Sequence, residues 1–383
     1  MKAKQLSLFL HDENAVQKQK KAKLGRYERL QRELEENDNN PYKIYVDVKS
    51  SSKSALKYNF VDLFSGAGGI TQGLSEAGFR PIASVETNPI ASETYKKNFP
   101  ECHHFCGNIQ DFKSIEWLEQ INPCPIHIVA GGPPCQGFSV AGKRDPSDPR
   151  NNLFYEFIRV VSEIKPWYVV MENVPGILTL KKGKVKQAIF DAFNSIGYKA
   201  VSVTILESAA YKVPQIRPRA IFIANRFNLK NPYPKAQLLP EQYMSIESAI
   251  SDLPEYTRIP EINHEWTRHS QEYMQRIAKV PPGGSLYKTY ADAFKRQYPG
   301  KPSMTIKENH GGTHIHPHLN RVISAREMAR LQTFPDSFIF EGSMKKAMWQ
   351  IGNAVPPLLV KNIGYALIPY LNQIAQAEKY NAK

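Results

Sequence analysis

From residue 58 onward, short apolar runs alternate with longer segments whose apolar positions recur at helical spacing. "YNFVDLF" reads as a buried strand, "GGITQGLSEAGF" as a helix ending at glycine, and "RPIASVE" as a second strand. "NPIASETYKKNF" is the next helix. "IHIVAGG", "WYVVMENV", "AVSVTILE" and "AIFIAN" are further short runs rich in β-formers, with the helical "NLFYEFIRVVSEI" and "VKQAIFDAFNSIG" between them. Strands alternating with helices predict an α/β fold, a mainly parallel sheet covered on both faces.

Near residue 230 the alternation stops. Residues 255–321 carry scattered aromatics, "VPPGG", a net charge of +4 from ten Lys/Arg and six Asp/Glu, and six of the ten histidines. They read as a smaller, loop-rich second domain. The chain then returns to helices, "SAREMARLQTF" and the segment after "GNAVPP", and a late helix of this kind can pack back onto the first domain. Residues 1–57 read as a basic appendage. "KQKKAKLGRYERLQREL" is a charge-rich helical run closed by "NDNNP", and its positive face suits phosphates as well as it suits solvent or a disordered arm. The predicted organisation is therefore an arm at 1–57, a first domain at 58–254, a second at 255–321, and a returning segment at 322–383.

Composition narrows the function classes. The 383 residues are 42% hydrophobic and 22% charged, as in ordinary globular chains. No apolar run is long enough to span a bilayer, and the N-terminus lacks a signal peptide's apolar stretch, so a cytoplasmic protein without membrane contact is expected. The excess of 50 Lys/Arg over 36 Asp/Glu, a net +14, favours a polyanionic partner such as nucleic acid. Four cysteines, Cys102, Cys106, Cys124 and Cys135, are too few for a disulfide framework. "ECHHFC" has no second ligand pair close behind it, so no metal is expected there.

Two stretches carry candidate chemistry. "DLFSGAGGITQGL" sets a glycine-rich turn between the first strand and its helix, where backbone can approach a ligand at a helix N-terminus. The next strand ends at Glu86, about twenty residues on, where a carboxylate can accept from ribose hydroxyls. The glycines depart from G-x-G-x-x-G, and an adenosyl sulfonium, which carries no phosphate, needs no phosphate cradle. "GGPPCQGFS" holds Cys135 in a strand-to-loop turn whose prolines and glycines control the backbone closely.

These segments, with "VETNPIASETYKKNF", "ENVPGI", "QIRPR", "RVISAREMARLQTFPDSF" and "QIGNAVPP", fall in the order of the DNA (cytosine-5)-methyltransferase family, which the chain resembles from about residue 58 to 370. The resemblance implies a Rossmann-like, S-adenosylmethionine-dependent domain and a small target-recognition domain. Between them double-stranded DNA would be held with the target cytosine flipped out. It also implies a bacterial enzyme acting as a monomer, in a restriction-modification setting that protects DNA from a partner endonuclease. In the arm, Gln5 to Phe9, "QLSLF", resembles the pentapeptide with which bacterial proteins dock on the replication sliding clamp.

Residue by residue, the resemblance implies that Cys135 is the nucleophile that adds to carbon 6 of cytosine, with Pro134, Gln136 and Ser139 around it. Glu172 would contact the ring nitrogen at position 3 and the exocyclic amine, while Asn173 orders the loop and Val174 packs. Gln215, Arg217 and Arg219 stand at alternate positions of an extended segment and so on one face. One arginine would hold the cytosine oxygen or the cysteine loop and the other a flanking phosphate, Arg219 being the stronger catalytic candidate.

For the cofactor the resemblance selects Phe64, stacked near the adenine, with Gly66, Gly68, Glu86, Leu153, Asn353 and Val355. Where the family usually has G-D-I, this chain has "GNI"; Asn108, beside Ile109, can accept through its amide oxygen, or Asp111 can stand in. Thr305, in "SMTI", is expected near the recognition loops, and Gln332, Arg326 and Arg330 as structural support. "NHGGTHIHPHLNR" reads as a family junction rather than a metal site. Two alternatives remain at this point. A transfer-RNA cytosine-5 methyltransferase shares this catalytic core, but its branch typically carries a Cys-Phe-Thr stretch in the recognition region, which has no cysteine here. A non-catalytic DNA-binding protein on the same fold would need none of Cys135, Glu172 and Arg219.

Overall fold

The first strand of the sheet is buried along its whole length, as a central parallel strand covered on both faces must be. In the computed structural model this strand is β2, Tyr58–Leu63, and Phe60, Val61 and Leu63 are wholly inaccessible. The structure describes residues 40–48, 58–121, 125–134, 150–287, 294–307 and 314–381. All elements below belong to one compact unit, Tyr42–Lys383. Gln5 to Phe9, Cys124, Cys135, Gln136 and Ser139 lie outside the described residues.

The chain begins this unit with β1, Lys43–Val46, followed by β2 and helix α1, Gly69–Glu76. Next come β3 (Phe79–Glu86), α2 (Pro89–Asn98), β4 (His103–Cys106), α3 (Ser114–Ile121) and β5 (Ile128–Gly131). Then follow α4 (Arg150–Ile164), β6 (Tyr168–Asn173), α5 (Lys184–Ser195), β7 (Ala200–Glu207), β8 (Pro218–Asn225) and β9 (Asn231–Pro234). Seven strands form one sheet in the order β4-β3-β2-β5-β6-β8-β7. The neighbours from β4 to β6 are parallel, and β8 runs antiparallel to both β6 and β7. Successive strands leave β2 in opposite directions, toward β3 and toward β5. In an open α/β sheet the crevice at such a switch point receives ligands.

The expected arm ends earlier than residue 57. Lys43–Val46 pairs parallel with β9, Tyr45 packs its ring 6.0 Å from Tyr233, and its hydroxyl lies 2.6 Å from the Thr204 hydroxyl. Four half-buried residues carry too short a pattern to announce a strand, and the partner that defines it lies far along the chain.

Beyond β9 the regular elements are short: α6 (Glu247–Ile250), α7 (Gln271–Ala278), β10 (Lys295–Arg296) and β11 (His314–Ile315). The apolar cluster of this region is small, with Ile277, Val280 and Ile315 at its centre. Arg296 supplements it. Its buried guanidinium donates to the carbonyls of Ile277, Val280, His316 and Leu319 and so ties four loop positions together. Paired buried polar groups can hold loops that lack the area for a larger apolar core.

The chain then returns to the sheet through α8 (Ala325–Leu331), α9 (Met344–Asn353) and α10 (Pro357–Asn381). Contact between α10 and α1 is close because both carry glycines. A Cβ on Gly73 would lie 2.4 Å from the Pro357 carbonyl oxygen, and one on Gly364 would lie 2.8 Å from the Ala77 Cβ. Arg326 is fully buried and donates to the carbonyls of Ile262, Pro335 and Phe338, a supporting role as expected. Arg330 bridges Asp336 and Asp252. Among the described residues no helix is long and apolar enough to cross a membrane.

Candidate active site

A cleft of about 730 Å³ opens at the carboxyl edge of the sheet, lined from β2, β3, β5 and β6 and roofed by the loop after α9. Its first wall follows β2. Phe64 (φ 58°), Gly66 (φ 54°) and Gly68 (φ 102°) turn the chain into α1 through left-handed backbone. Phe64 holds this conformation with a full side chain, a strain of about 1–3 kcal/mol of the kind that persists at ligand sites. Gly68 has a different reason to be glycine. A Cβ there would lie 2.4 Å from the Phe99 ring, so the residue admits Tyr95 of α2 and Phe99 just past it behind the turn. Its conformation and its contact with Phe99 thus give it a packing role.

Glu86, at the end of β3, joins the two strand ends. Its Oε2 accepts from the Gly66 amide at 2.9 Å and its Oε1 from the Asn88 amide at 2.7 Å. Burial raises the carboxyl pKa and these backbone donors oppose the shift. Beneath the turn, Asp62 is fully buried and accepts from the Thr71 hydroxyl at 2.7 Å; burial pushes its carboxyl up to about 7.

Asn108 lines the cleft beside Ile109, with its Oδ1 accepting from the Gln110 amide at 3.1 Å and capping the short turn Ile109–Asp111. Asp111 is exposed and off the cleft, so it does not replace the missing acidic side chain. The neighbouring "ECHHFC" lies on and just before β4. There His104 bonds the Ser84 hydroxyl at 2.7 Å and stacks on Tyr95.

The opposite wall belongs to β5 and β6. Gly132, Pro133 and Pro134 leave β5 along the cleft, and Asn173 Nδ2 donates to the Pro133 carbonyl at 3.0 Å. That bond fixes the backbone entering Cys135. Glu172 stands next to it, its Oε1 accepting from Arg219 Nε at 2.7 Å, with both side chains largely buried. The other oxygen, Oε2, faces Gly132, 3.1 Å from where a Cβ would sit, so any larger residue there would crowd the carboxylate. Arg219 thus holds one oxygen and leaves the second toward the proline turn. Val174 does not pack as expected: it is 45% exposed on the cleft wall.

Arg217 lines the cleft yet its guanidinium is committed to the frame. Nη1 donates to Ile306 O at 2.6 Å, and Nη2 donates to Gly352 O at 2.9 Å and Ala354 O at 2.8 Å. Burial, and then the like charge of Arg219, push its pKa well down, against the pull of Glu172. Gln215 is also fully buried, its Nε2 donating to Leu331 O and Gln332 Oε1 while its Oε1 accepts from the Ile306 amide. A side chain so enclosed has no face for DNA. The expected one-faced array of Gln215, Arg217 and Arg219 is correct in direction for the first two, but that face meets the protein's own loops. Thr305, expected at the DNA, donates its hydroxyl to Ile216 O at 2.6 Å and belongs to the same seam.

Leu153, Asn353 and Val355, expected at the cofactor, line the cleft, and Gly69 brings the roof close, since a Cβ there would lie 2.5 Å from the Val355 carbonyl. Reading the sequence did not find Gly132, Thr87 or Trp349 among the lining residues. The double glycine before Pro133 was a signal for the first; nothing local marked the other two.

Comparison with known proteins agrees with this geometry. Residues 58–369 match the family model of the C-5 cytosine-specific DNA methylases. The Type II methyltransferase M1.HphI of Haemophilus parahaemolyticus is 36% identical over 328 residues, covering 82% of this chain and 87% of that protein. M.DdeI of Desulfomicrobium norvegicum, also a Type II methyltransferase, is 34% identical over 375 residues, covering 82% and 90%. Among solved structures, a prophage-encoded E. coli protein described as a DNA modification methyltransferase superposes with a TM-score of 0.71 at 28% identity, covering 82% of this chain and all of that one.

Proposed function

The chain belongs to the C-5 cytosine-specific DNA methylase family, and from that membership we propose that it transfers methyl from S-adenosylmethionine to carbon 5 of a flipped cytosine in a specific duplex sequence. It is a DNA (cytosine-5)-methyltransferase of the Type II restriction-modification kind. The observation that carries the finer reading is the joining of two unlike walls in one cleft: Phe64, Gly66 and Glu86 on one side, the Glu172–Arg219 pair and Pro134 on the other.

The first wall fits an adenosyl sulfonium. It offers an aromatic ring, a carboxylate for ribose hydroxyls and a glycine turn. Among the described residues the arginines that line the cleft, Arg217 and Arg219, are both engaged within the protein. When bound, the donor supplies an electrophilic methyl group. Cys135 would add as thiolate to carbon 6 of the cytosine, which loads electron density onto carbon 5; carbon 5 would then bond the methyl carbon as its bond to the sulfonium sulfur breaks and leaves a neutral thioether, and loss of the carbon 5 proton to a base would expel the thiolate from carbon 6. Glu172, held by Arg219 at Oε1, would share a proton at Oε2 with the ring nitrogen at position 3, beside the exocyclic amine, and so relieve the negative charge that builds in the ring. Asn173 holds the turn that carries the thiol.

Residues 255–321 read as the target-recognition domain, with bidentate contacts from Arg, Lys, Asn or Gln to base edges. In this setting methylation protects DNA against a cognate endonuclease. The test is tritiated methyl transfer to duplex DNA and to transfer RNA by wild type and Cys135→Ala, with trapping on DNA carrying 5-fluorocytosine. Label in DNA, none with Cys135→Ala, and a covalent complex on the fluorinated base are expected. Failure to trap on otherwise methylatable DNA would falsify the covalent step.

A further inference from the structure

Trp117 and Trp167 are enclosed in aromatic clusters, and Trp266 lies beneath the guanidinium of Arg321 at 4.1 Å. Trp349 differs from all three in its ring. It is half-buried on the cleft wall, and among the described residues no aromatic ring or cation stacks on it. A tryptophan that serves packing alone usually has its large ring enclosed by such partners. An indole left without them, on the wall of a cavity, presents an aromatic face to whatever fills that cavity.

Its place in the fold says which part of the cleft that is. Helix α9 runs from the start of α2, where a Cβ on Gly342 would lie 2.7 Å from Ile90, to the start of α1, where the Val355 carbonyl meets Gly69. Those are the helices that follow β3 and β2. Trp349 therefore sits on a helix that borders the half of the cleft built by Phe64 and Glu86.

We propose that Trp349 is a ligand-binding residue whose indole lies against the adenosyl group of the methyl donor, a second aromatic wall in addition to Phe64. The inference rests on the donor reading above. A purine presents a flat π-face, and the loss of one aromatic partner from such a stack weakens binding measurably.

The test uses the full chain and S-adenosylhomocysteine, which binds without turnover, followed by calorimetry and by tryptophan emission. Wild type should bind with a saturable emission change whose midpoint matches calorimetry. Trp349→Phe should lose the emission change while keeping most of the affinity, because it retains a ring. Trp349→Ala should bind about 10-fold more weakly, within the range for removing one ring from a base stack, with its melting temperature and its affinity for duplex DNA unchanged. Wild-type affinity in Trp349→Ala, an undiminished emission change in Trp349→Phe, or a loss confined to DNA binding each overturns the inference and leaves the donor reading standing. Absence of binding by wild type overturns the donor reading and the inference with it. If Trp349→Ala loses its fold, the emission difference of Trp349→Phe still decides.

Discussion

Replacing Arg217 by methionine separates a framing role from a chemical one. Methionine keeps much of the aliphatic stem and supplies no donor. Three buried carbonyls, of Ile306, Gly352 and Ala354, then lose bonds of 2.6, 2.9 and 2.8 Å. At about 1–3 kcal/mol for each acceptor left without a partner, the gross loss is roughly 3–9 kcal/mol. Removing a cation whose burial is itself unfavourable offsets part of this, as the depressed pKa of Arg217 indicates. A net destabilisation of about 2–4 kcal/mol follows, or roughly 2–5 °C in melting temperature for a chain of this size. Calorimetric melting and urea titration measure it directly. Methyl transfer by Arg217→Met should fall chiefly at temperatures where the roof loop loosens, and recover in part on cooling. Arg219→Met leaves the three carbonyls bonded and breaks the pair to Glu172, so it should lose methyl transfer at every temperature with a smaller change in melting. If Arg217→Met melts within about 1 °C of wild type and loses methyl transfer alone, Arg217 touches the substrate and the framing role is refuted.

Gly73→Ala would drive a Cβ to 2.4 Å from the Pro357 carbonyl and 2.6 Å from Val360 Cβ, and should destabilise the chain by about 1–3 kcal/mol by pushing α10 off α1, read as a lower urea midpoint. Asp62 stays protonated in the fold up to about pH 7 but ionises near 4 once unfolded, so its contribution is full at low pH and is lost as pH rises through about 7. Asp62→Asn should therefore be more stable than wild type at pH 8, by at least about 1 kcal/mol, with the gap closing toward pH 5; a pH-independent gap would refute the assignment. Lys181 and Lys182 are consecutive left-handed residues (φ 51° and 57°), and Lys182→Gly should raise thermal stability by about 0.5–1 kcal/mol through relief of that strain.

The order of strands and helices, the turn after β2 and the carboxylates at the ends of β3 and β6 follow from local pattern, because apolar period, glycine placement and strand ends are short-range properties. Glu86 and Phe64 were legible for this reason, and so was the turn of Pro133 and Pro134. The roles of Gln215, Arg217 and Thr305 were not. Their partners lie 89 to 137 residues away in sequence, and alternation along an extended segment says that two side chains share a face but not what that face meets. The packing of Gly68 was illegible on the same ground: its neighbour is the ring of Phe99, just past α2, which no turn signature announces.

By itself, then, the sequence determined the layered α/β architecture, the family and the residue types that can do its chemistry, since these rest on periodicity and on motifs contiguous in the chain. The tertiary structure alone decided which polar side chains are spent on the protein's own carbonyls and which remain for a ligand. Burial and hydrogen-bond partnership depend on segments brought together from far along the chain, and so, among the described residues, left one oxygen of Glu172 without a bond, the Nη1 and Nη2 donors of Arg217 on backbone carbonyls, and Trp349 on the cleft wall without a ring partner.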